Sequence, residues 1–134
     1  IAMLVGADGV HLGQDDLPIL EARKIFGKDK IIGISTHNLK EAVTASRLGA
    51  NYISFGPIFA TKTKKDAQRA KGVEALKRIR KRVDIPVVAI GGITLENAMD
   101  VYNAGADSVA VISDVLKSKD IRKRVKDFIE TIRE

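Results

Sequence analysis

A parallel α/β fold is what this sequence predicts, and three observations carry it. A helix-stop, strand-start unit recurs: Gly6-Ala-Asp-Gly-Val10, Gly49-Ala-Asn-Tyr-Ile53 and Gly105-Ala-Asp-Ser-Val109. Each puts glycine where a helix ends in a left-handed residue, then a turn residue, then a strand. The runs that follow are short, rich in Val and Ile, and mostly apolar on both faces, as buried parallel strands are. The stretches between them are amphipathic and of helical length, with no linker or low-complexity segment, so β and α elements alternate.

The opening Ile1-Ala-Met-Leu-Val-Gly6 reads as the last turn of a helix. Strands are predicted at Gly9–Leu12, Lys30–Ser35, Tyr52–Phe55, Pro86–Ile90 and Ser108–Ile112. The first helix spans Leu17–Phe26 and stops at Gly27. Asn38 followed by Glu41 is a capping signal for a second helix, through Leu48. The third is Gly72–Val83, with Lys and Arg outside; the fourth, Leu95–Ala104, takes Thr94 as its cap; and Ile121–Ile132 closes the chain. The basic stretches Lys77–Arg82 and Arg122–Lys126 are solvated outer helix faces.

The chain has 134 residues, 45% hydrophobic and 30% charged, which suits one core rather than two. It has no cysteine, which excludes disulfides, thiolate metal sites and a thiol nucleophile. Its apolar runs are far shorter than the roughly 20 residues of a membrane span, and no signal-peptide pattern is visible; a cytoplasmic protein is expected. The net charge of +6 favours anionic partners, but with only 4% aromatic residues and no dense basic stripe, nucleic acid is disfavoured.

Polar residues gather where the predicted strands end, and in parallel α/β folds the carboxyl edge is the ligand face. Asp15 and Asp16 follow the first strand, Ser35 and Thr36 the second, Gly91 and Gly92 the fourth, and Ser113 the fifth. After the third comes Phe55-Gly-Pro-Ile-Phe-Ala-Thr-Lys-Thr-Lys-Lys-Asp66. There Thr61 and Thr63 offer hydroxyl and amide donors, and Lys62, Lys64 and Lys65 offer ammonium charge to a phosphate or diphosphate oxygen. Asp66 balances that charge. Consecutive glycines at a strand end let a backbone N–H approach an anion closely, and in an eightfold barrel the loops after the last two strands commonly hold phosphate, which points to Gly92 and Ser113. Of Asp15 and Asp16, one can cap the following helix while the other binds metal. His11 reads as a hydrogen-bonded structural group; His37 either borders the site or packs at the helix entry.

Taken together, Val10-His-Leu-Gly-Gln-Asp-Asp16, Gly33-Ile-Ser-Thr-His37, Gly56-Pro-Ile-Phe-Ala-Thr-Lys-Thr-Lys-Lys-Asp66, Ala89-Ile-Gly-Gly-Ile-Thr94 and Val109-Ala-Val-Ile-Ser113 resemble the thiamine-phosphate synthase family, in order and with similar spacing along the whole chain. The resemblance implies a (βα)8 TIM barrel of which this chain is a single partial domain, about strands 4 to 8. It implies a magnesium-assisted transferase that joins hydroxymethylpyrimidine diphosphate to a thiazole phosphate and releases diphosphate. Asp16 would then be the magnesium ligand, and Ser35 and Lys64 the catalytic residues holding the pyrimidine diphosphate. Thr61, Lys62 and Thr63, with Gly92, Ile112 and Ser113, would contact the thiazole phosphate. The family's basic Arg-and-Lys segment and its Asn-Asp metal pair, carried by earlier strands, are not in this sequence, so the chain alone is expected to be a crippled enzyme with uncovered strand edges. Expected partners are the two phosphorylated substrates, and either an N-terminal half-barrel or a second copy of the chain. Two rivals stand beside this reading: the related thiazole tautomerase, which by the same resemblance lacks the Thr-Lys-Thr-Lys loop, and a non-catalytic phosphate-binding subunit.

Overall fold

The computed structural model describes residues 1–61 and 69–133. In chain order these form β1 (Gly9–Leu12), α1 (Ile19–Phe26), β2 (Ile31–Thr36), α2 (Leu39–Arg47), β3 (Tyr52–Phe55), α3 (Val73–Arg80), β4 (Val87–Ile90), α4 (Ala98–Asn103), β5 (Ser108–Ala110), α5 (Ser113–Leu116) and α6 (Ile121–Arg133). The strands pair in sequence order, β1-β2-β3-β4-β5, and every pairing is parallel. Right-handed crossovers between neighbouring parallel strands put successive helices on one face of the sheet, where α2 packs on α3, α3 on α4, and α4 on α6.

That layer explains which strand residues are apolar. Ile32, Ile34, Ile53, Phe55, Val87 and Ala89 face the helices and are buried, meeting Ala22, Ala42, Leu76, Ile79, Val101 and Phe128 in one core. Burying each large aliphatic side chain of this set stabilises the fold by about 1.5–3 kcal/mol. The alternate residues point to the other, concave face: His11, Ser35, Tyr52, Ser54 and Val88. The strands are therefore not apolar on both faces as the sequence suggested. The helix side is apolar, whereas the concave side, which no helix among the described residues covers, is polar on β1 to β3 and apolar at Val88, Ile90 and Ala110 on β4 and β5.

The amino edge of the sheet is held by long side chains. The Arg23 guanidinium donates to the carbonyls of Gly27 (3.0 Å), Lys30 (2.6 Å) and Gly49 (3.1 Å) and to Asn51 Oδ1 (2.8 Å). Asn51 Oδ1 also accepts from the Ile32 N–H at 2.8 Å, and Asp107 Oδ2 does the same for Val87 at 2.8 Å while lying 3.4 Å from Arg80. The third residue of the recurring Gly-Ala-Asn/Asp unit thus closes the start of a neighbouring strand. The glycines of that unit do take positive φ: 66° at Gly6, 88° at Gly49 and 98° at Gly105.

Several element ends differ from expectation, α3 among them, which ends at Arg80 rather than Val83, and three of the differences touch candidate residues. The first helix starts at Ile19 because Pro18, which has no N–H to give, occupies its cap position. Neither Asp15 nor Asp16 caps it. The fourth helix starts at Ala98, not Leu95: Asn97 N donates to Thr94 O at 3.2 Å and Thr94 N to Asn97 Oδ1 at 2.9 Å, so these residues form a turn and Thr94 is not the cap. The fifth strand ends at Ala110, and Ser113 opens the short, unpredicted α5. The Asn38–Glu41 signal does cap the helix: Asn38 Oδ1 accepts from Glu41 N at 2.9 Å, while Glu41 Oε2 accepts from the N–H of His37 at 2.8 Å, one residue before the cap. Among the described residues no helix is long and apolar enough to cross a membrane.

Candidate functional site

At the carboxyl ends of the strands the loops are stitched together laterally, each tip to the next. Gln14 Nε2 donates to Ser35 O at 2.6 Å, joining the first two strand ends. Gly56 N donates to Thr36 O at 3.3 Å, and Ile58 N and Phe59 N donate to Ile90 O (2.9 Å) and Gly91 O (3.0 Å). Leu95 N reaches Asp114 Oδ2 at 3.3 Å, which ties the fourth loop to α5. Lys71 N and Gly72 N return to Pro57 O and Ile58 O at 2.8 and 2.9 Å, so the described ends of the β3–α3 connection meet.

Two glycines make this packing feasible. Gly91 and Gly92 have φ of 98° and 64°, and a Cβ on Gly92 would lie 2.6 Å from Ala60 O. Any side chain there would both strain the backbone and push the third loop away.

The stitched tips and the concave face enclose a cavity of about 550 Å³. On its wall stand Ser35, Thr61, Gly92, Ile112 and Ser113, five of the residues singled out from the sequence, joined by His11, His37, Tyr52 and Ser54. No aspartate or glutamate among the described residues lines it. Hydroxyls, imidazoles and backbone amides without carboxylates make a surface that accepts anionic oxygen and does not repel it.

Asp16 stands elsewhere, in an adjacent groove with Asn38, Lys40 and Glu41, and its Oδ2 accepts from Gly13 N at 2.6 Å. Among the described residues no group of three or more His, Asp or Glu side chains could hold a metal ion. A single carboxylate still suits magnesium, which keeps several waters and takes its remaining ligands from substrate phosphates. Lys62, Thr63 and Lys64, with Lys65 and Asp66, lie outside the described residues.

His11 is hydrogen-bonded, as its place on a strand suggested, but it belongs to the cavity. Its Nδ1 lies 2.8 Å from Tyr52 Oη, and its Nε2 lies 2.8 Å from Ser35 Oγ and 3.4 Å from Ser54 Oγ. Sequence reasoning passed over Tyr52 and Ser54. The register supplies the missing signal: His11 pairs with Gly33 and Gly33 with Tyr52, while Ser35 pairs with Ser54. His37 combines both of its readings, bordering the cavity while its Nδ1 lies 3.1 Å from Glu41 Oε2 at the entry of α2.

The fold and the cavity together define a class, an α/β protein of TIM-barrel-like architecture with a cavity at its strand ends that no carboxylate among the described residues lines. The profile of the family described as thiamine monophosphate synthase matches residues 1–115, and the chain belongs to that family. It is 50% identical over 134 residues to a thiamine-phosphate synthase of Methanosarcina mazei, covering 100% of this chain and 56% of that protein. Over 121 residues it is 53% identical to one of Chloroflexus aurantiacus, covering 90% of this chain and 56% of that protein. The solved structure of a thiamine phosphate pyrophosphorylase from Pyrococcus furiosus superposes with a TM-score of 0.88 at 42% identity, covering 98% of this chain and 62% of the other. The chain thus spans less than two thirds of the length of these relatives.

Proposed function

We propose that this chain carries the phosphate-binding strands of a thiamine-phosphate synthase, equivalent to strands 4 to 8 of a (βα)8 barrel. In this reading the enzyme is a transferase that joins hydroxymethylpyrimidine diphosphate to a thiazole phosphate and releases diphosphate. The observation that supports it best is the convergence of Ser35, Thr61, Gly92 and Ser113, from four different strand ends, on one cavity that no carboxylate among the described residues lines.

The residue types suit that chemistry. If the bond from the pyrimidine CH2 to the diphosphate breaks before the thiazole nitrogen attacks, no acid/base pair is required. What the site must do is stabilise the leaving anion and hold two phosphorylated molecules in register. Ser35 and Lys64 would take the diphosphate. Thr61, Lys62, Thr63, the Gly92 amide, Ile112 and Ser113 would take the thiazole phosphate. Orientation of this kind can be worth roughly 7–11 kcal/mol in well-aligned reactions, and donors aimed at developing charge add to it. Asp16 would hold magnesium with water and substrate oxygens; the ion, when bound, neutralises charge on the leaving diphosphate.

A second reading rests on the chain's span of 56% of the Methanosarcina mazei relative. In that reading the chain is a non-catalytic phosphate-binding subunit, and supplying the remaining part of such a relative does not make it an enzyme. One assay addresses both readings: incubate the chain with both substrates and magnesium, alone and with the remaining N-terminal segment of the Methanosarcina mazei relative, and follow thiamine phosphate. Product in the presence of the added segment supports the synthase. Thiazole-phosphate binding without product in either mixture supports the module.

A further inference from the structure

We infer that Tyr52 and His11 are positioning residues that fix the direction of the Ser35 hydroxyl, so that it donates its proton to an anion in the cavity. The inference rests on the proposed contact between Ser35 and a diphosphate, and it concerns how that contact is prepared.

Three distances and one glycine carry it. Tyr52 Oη and Ser35 Oγ lie at the two nitrogens of one imidazole, each 2.8 Å away, so whatever proton arrangement one side adopts is transmitted to the other. A neutral imidazole has one N–H and one acceptor nitrogen, and its two neighbours must therefore take opposite roles. The phenol is a far stronger acid than an aliphatic hydroxyl, hence the better donor, and serine is the better acceptor. Tyr52 thus donates to Nδ1, and the Nε2 proton is directed at Ser35 Oγ, with Ser54 Oγ at 3.4 Å as a second acceptor for the same N–H.

With a lone pair of Ser35 occupied, its own O–H is turned outward to the cavity. A hydrogen-bond chain that ends on an anion polarises along its length, so each link strengthens the next. The backbone of Ser35 is fixed as well, its carbonyl accepting from Gln14 Nε2 at 2.6 Å.

Gly33 shows that the arrangement is built. It lies between His11 and Tyr52 in the register, and a Cβ there would stand 2.1 Å from the Tyr52 ring. Only the absence of a side chain at 33 lets the ring lie across β2 and reach β1, where the two ring centroids are 5.4 Å apart.

The chain holds two histidines, so proton–nitrogen correlation spectra of its imidazoles are simple, and a His37→Asn variant leaves His11 alone. Under conditions where the imidazole is neutral, the full chain should show His11 in the Nε2-protonated tautomer, and inorganic diphosphate should shift it further that way. Tyr52→Phe should mix the tautomers and weaken diphosphate binding by roughly tenfold, the worth of a hydrogen bond to a charged group. His11→Gln, which keeps an N–H beside Ser35, should retain most of the affinity that His11→Leu loses. If His11→Leu fails to fold, Tyr52→Phe decides alone.

Diphosphate binding with the Nδ1-protonated tautomer, or a Tyr52→Phe variant unchanged in tautomer and affinity, overturns the inference and leaves the proposed function standing. The expected tautomer with no diphosphate binding, either by the chain alone or with the rest of the Methanosarcina mazei relative added, overturns both. The expected spectra and binding together with failure of thiamine phosphate synthesis support the inference and remove only the proposed reaction.

Discussion

The two edges of the sheet are held by different bonds. At the amino edge, Arg23 reaches from α1 to the Gly27 carbonyl at the end of its own helix and to Lys30, Gly49 and Asn51 beside the starts of the next two strands, and Asp107 sits against both Arg80 and the Val87 amide. At the carboxyl edge, neighbouring loops touch through main-chain amides and carbonyls, with glycine at the tightest points. Long charged side chains spend their donors on the frame at one edge. At the other, mainly backbone groups, with the Gln14 amide and the Asp114 carboxylate, hold the loops to one another while leaving a cavity between them. The difference separates stability from binding, and substitutions can test how cleanly.

The strongest test is Gly92→Ala. With φ of 64° and a Cβ 2.6 Å from Ala60 O, it should cost about 3 kcal/mol of stability by denaturant unfolding and abolish measurable phosphate binding, damaging both properties because the backbone is itself the site. Lys64→Ala should reduce turnover about a hundredfold in the assembled enzyme, the scale for one donor to developing charge, with an unchanged melting midpoint. Early melting with full turnover would contradict its role.

Arg23→Met should do the reverse, lowering stability by about 2 kcal/mol through its lost carbonyl contacts while diphosphate affinity, read by calorimetry, stays the same. An affinity loss there would erase the distinction between the edges. Asp107→Asn, which keeps an acceptor for the Val87 N–H but gives up the charge facing Arg80, should cost about 0.5 kcal/mol.

The smallest effect concerns Glu74 and Glu96. The hydrogen bond from Lys77 holds the Glu74 carboxyl below its ordinary pKa, and the hydrogen bond from Thr94 does so for Glu96. Carboxyls with folded pKa values below the unfolded ones contribute stability above the unfolded pKa and lose it as pH falls through the folded one. A melting series on the acid side of 4.5, their reference value, should therefore show a slight loss that Glu74→Gln and Glu96→Gln reduce. Both groups are fully exposed, so the change should be small and weaker still in high salt.

Much of this architecture was legible in the sequence because it depends on local chemistry. Glycine after a helix, β-branched runs and the Asn38–Glu41 cap each act within a few residues, and β1 and β3 have the predicted bounds. The short α5 was hidden because Val111 and Ile112 extend an apolar strand pattern that the chain abandons after Ala110. The late start of α4 comes from mutual hydrogen bonds between Thr94 and Asn97, which propensity cannot distinguish from a first helical turn. Ser35, Thr61, Gly92 and Ser113 could be named from strand ends alone. Tyr52 and Ser54 could not: they enter the cavity through pairing across β1, β2 and β3, and register is a relation between distant segments.

That no acidic side chain among the described residues lines the cavity has a practical corollary for anyone who handles this protein. Under the proposed function, hydroxyl and amide donors would not discriminate strongly among small oxyanions, so sulfate or phosphate in a buffer would compete for the places a substrate needs. Affinities measured in such media would report an exchange between anions and would understate the intrinsic value. Chloride or organic-sulfonate solutions, at stated ionic strength, are the conditions in which its preferences will be visible.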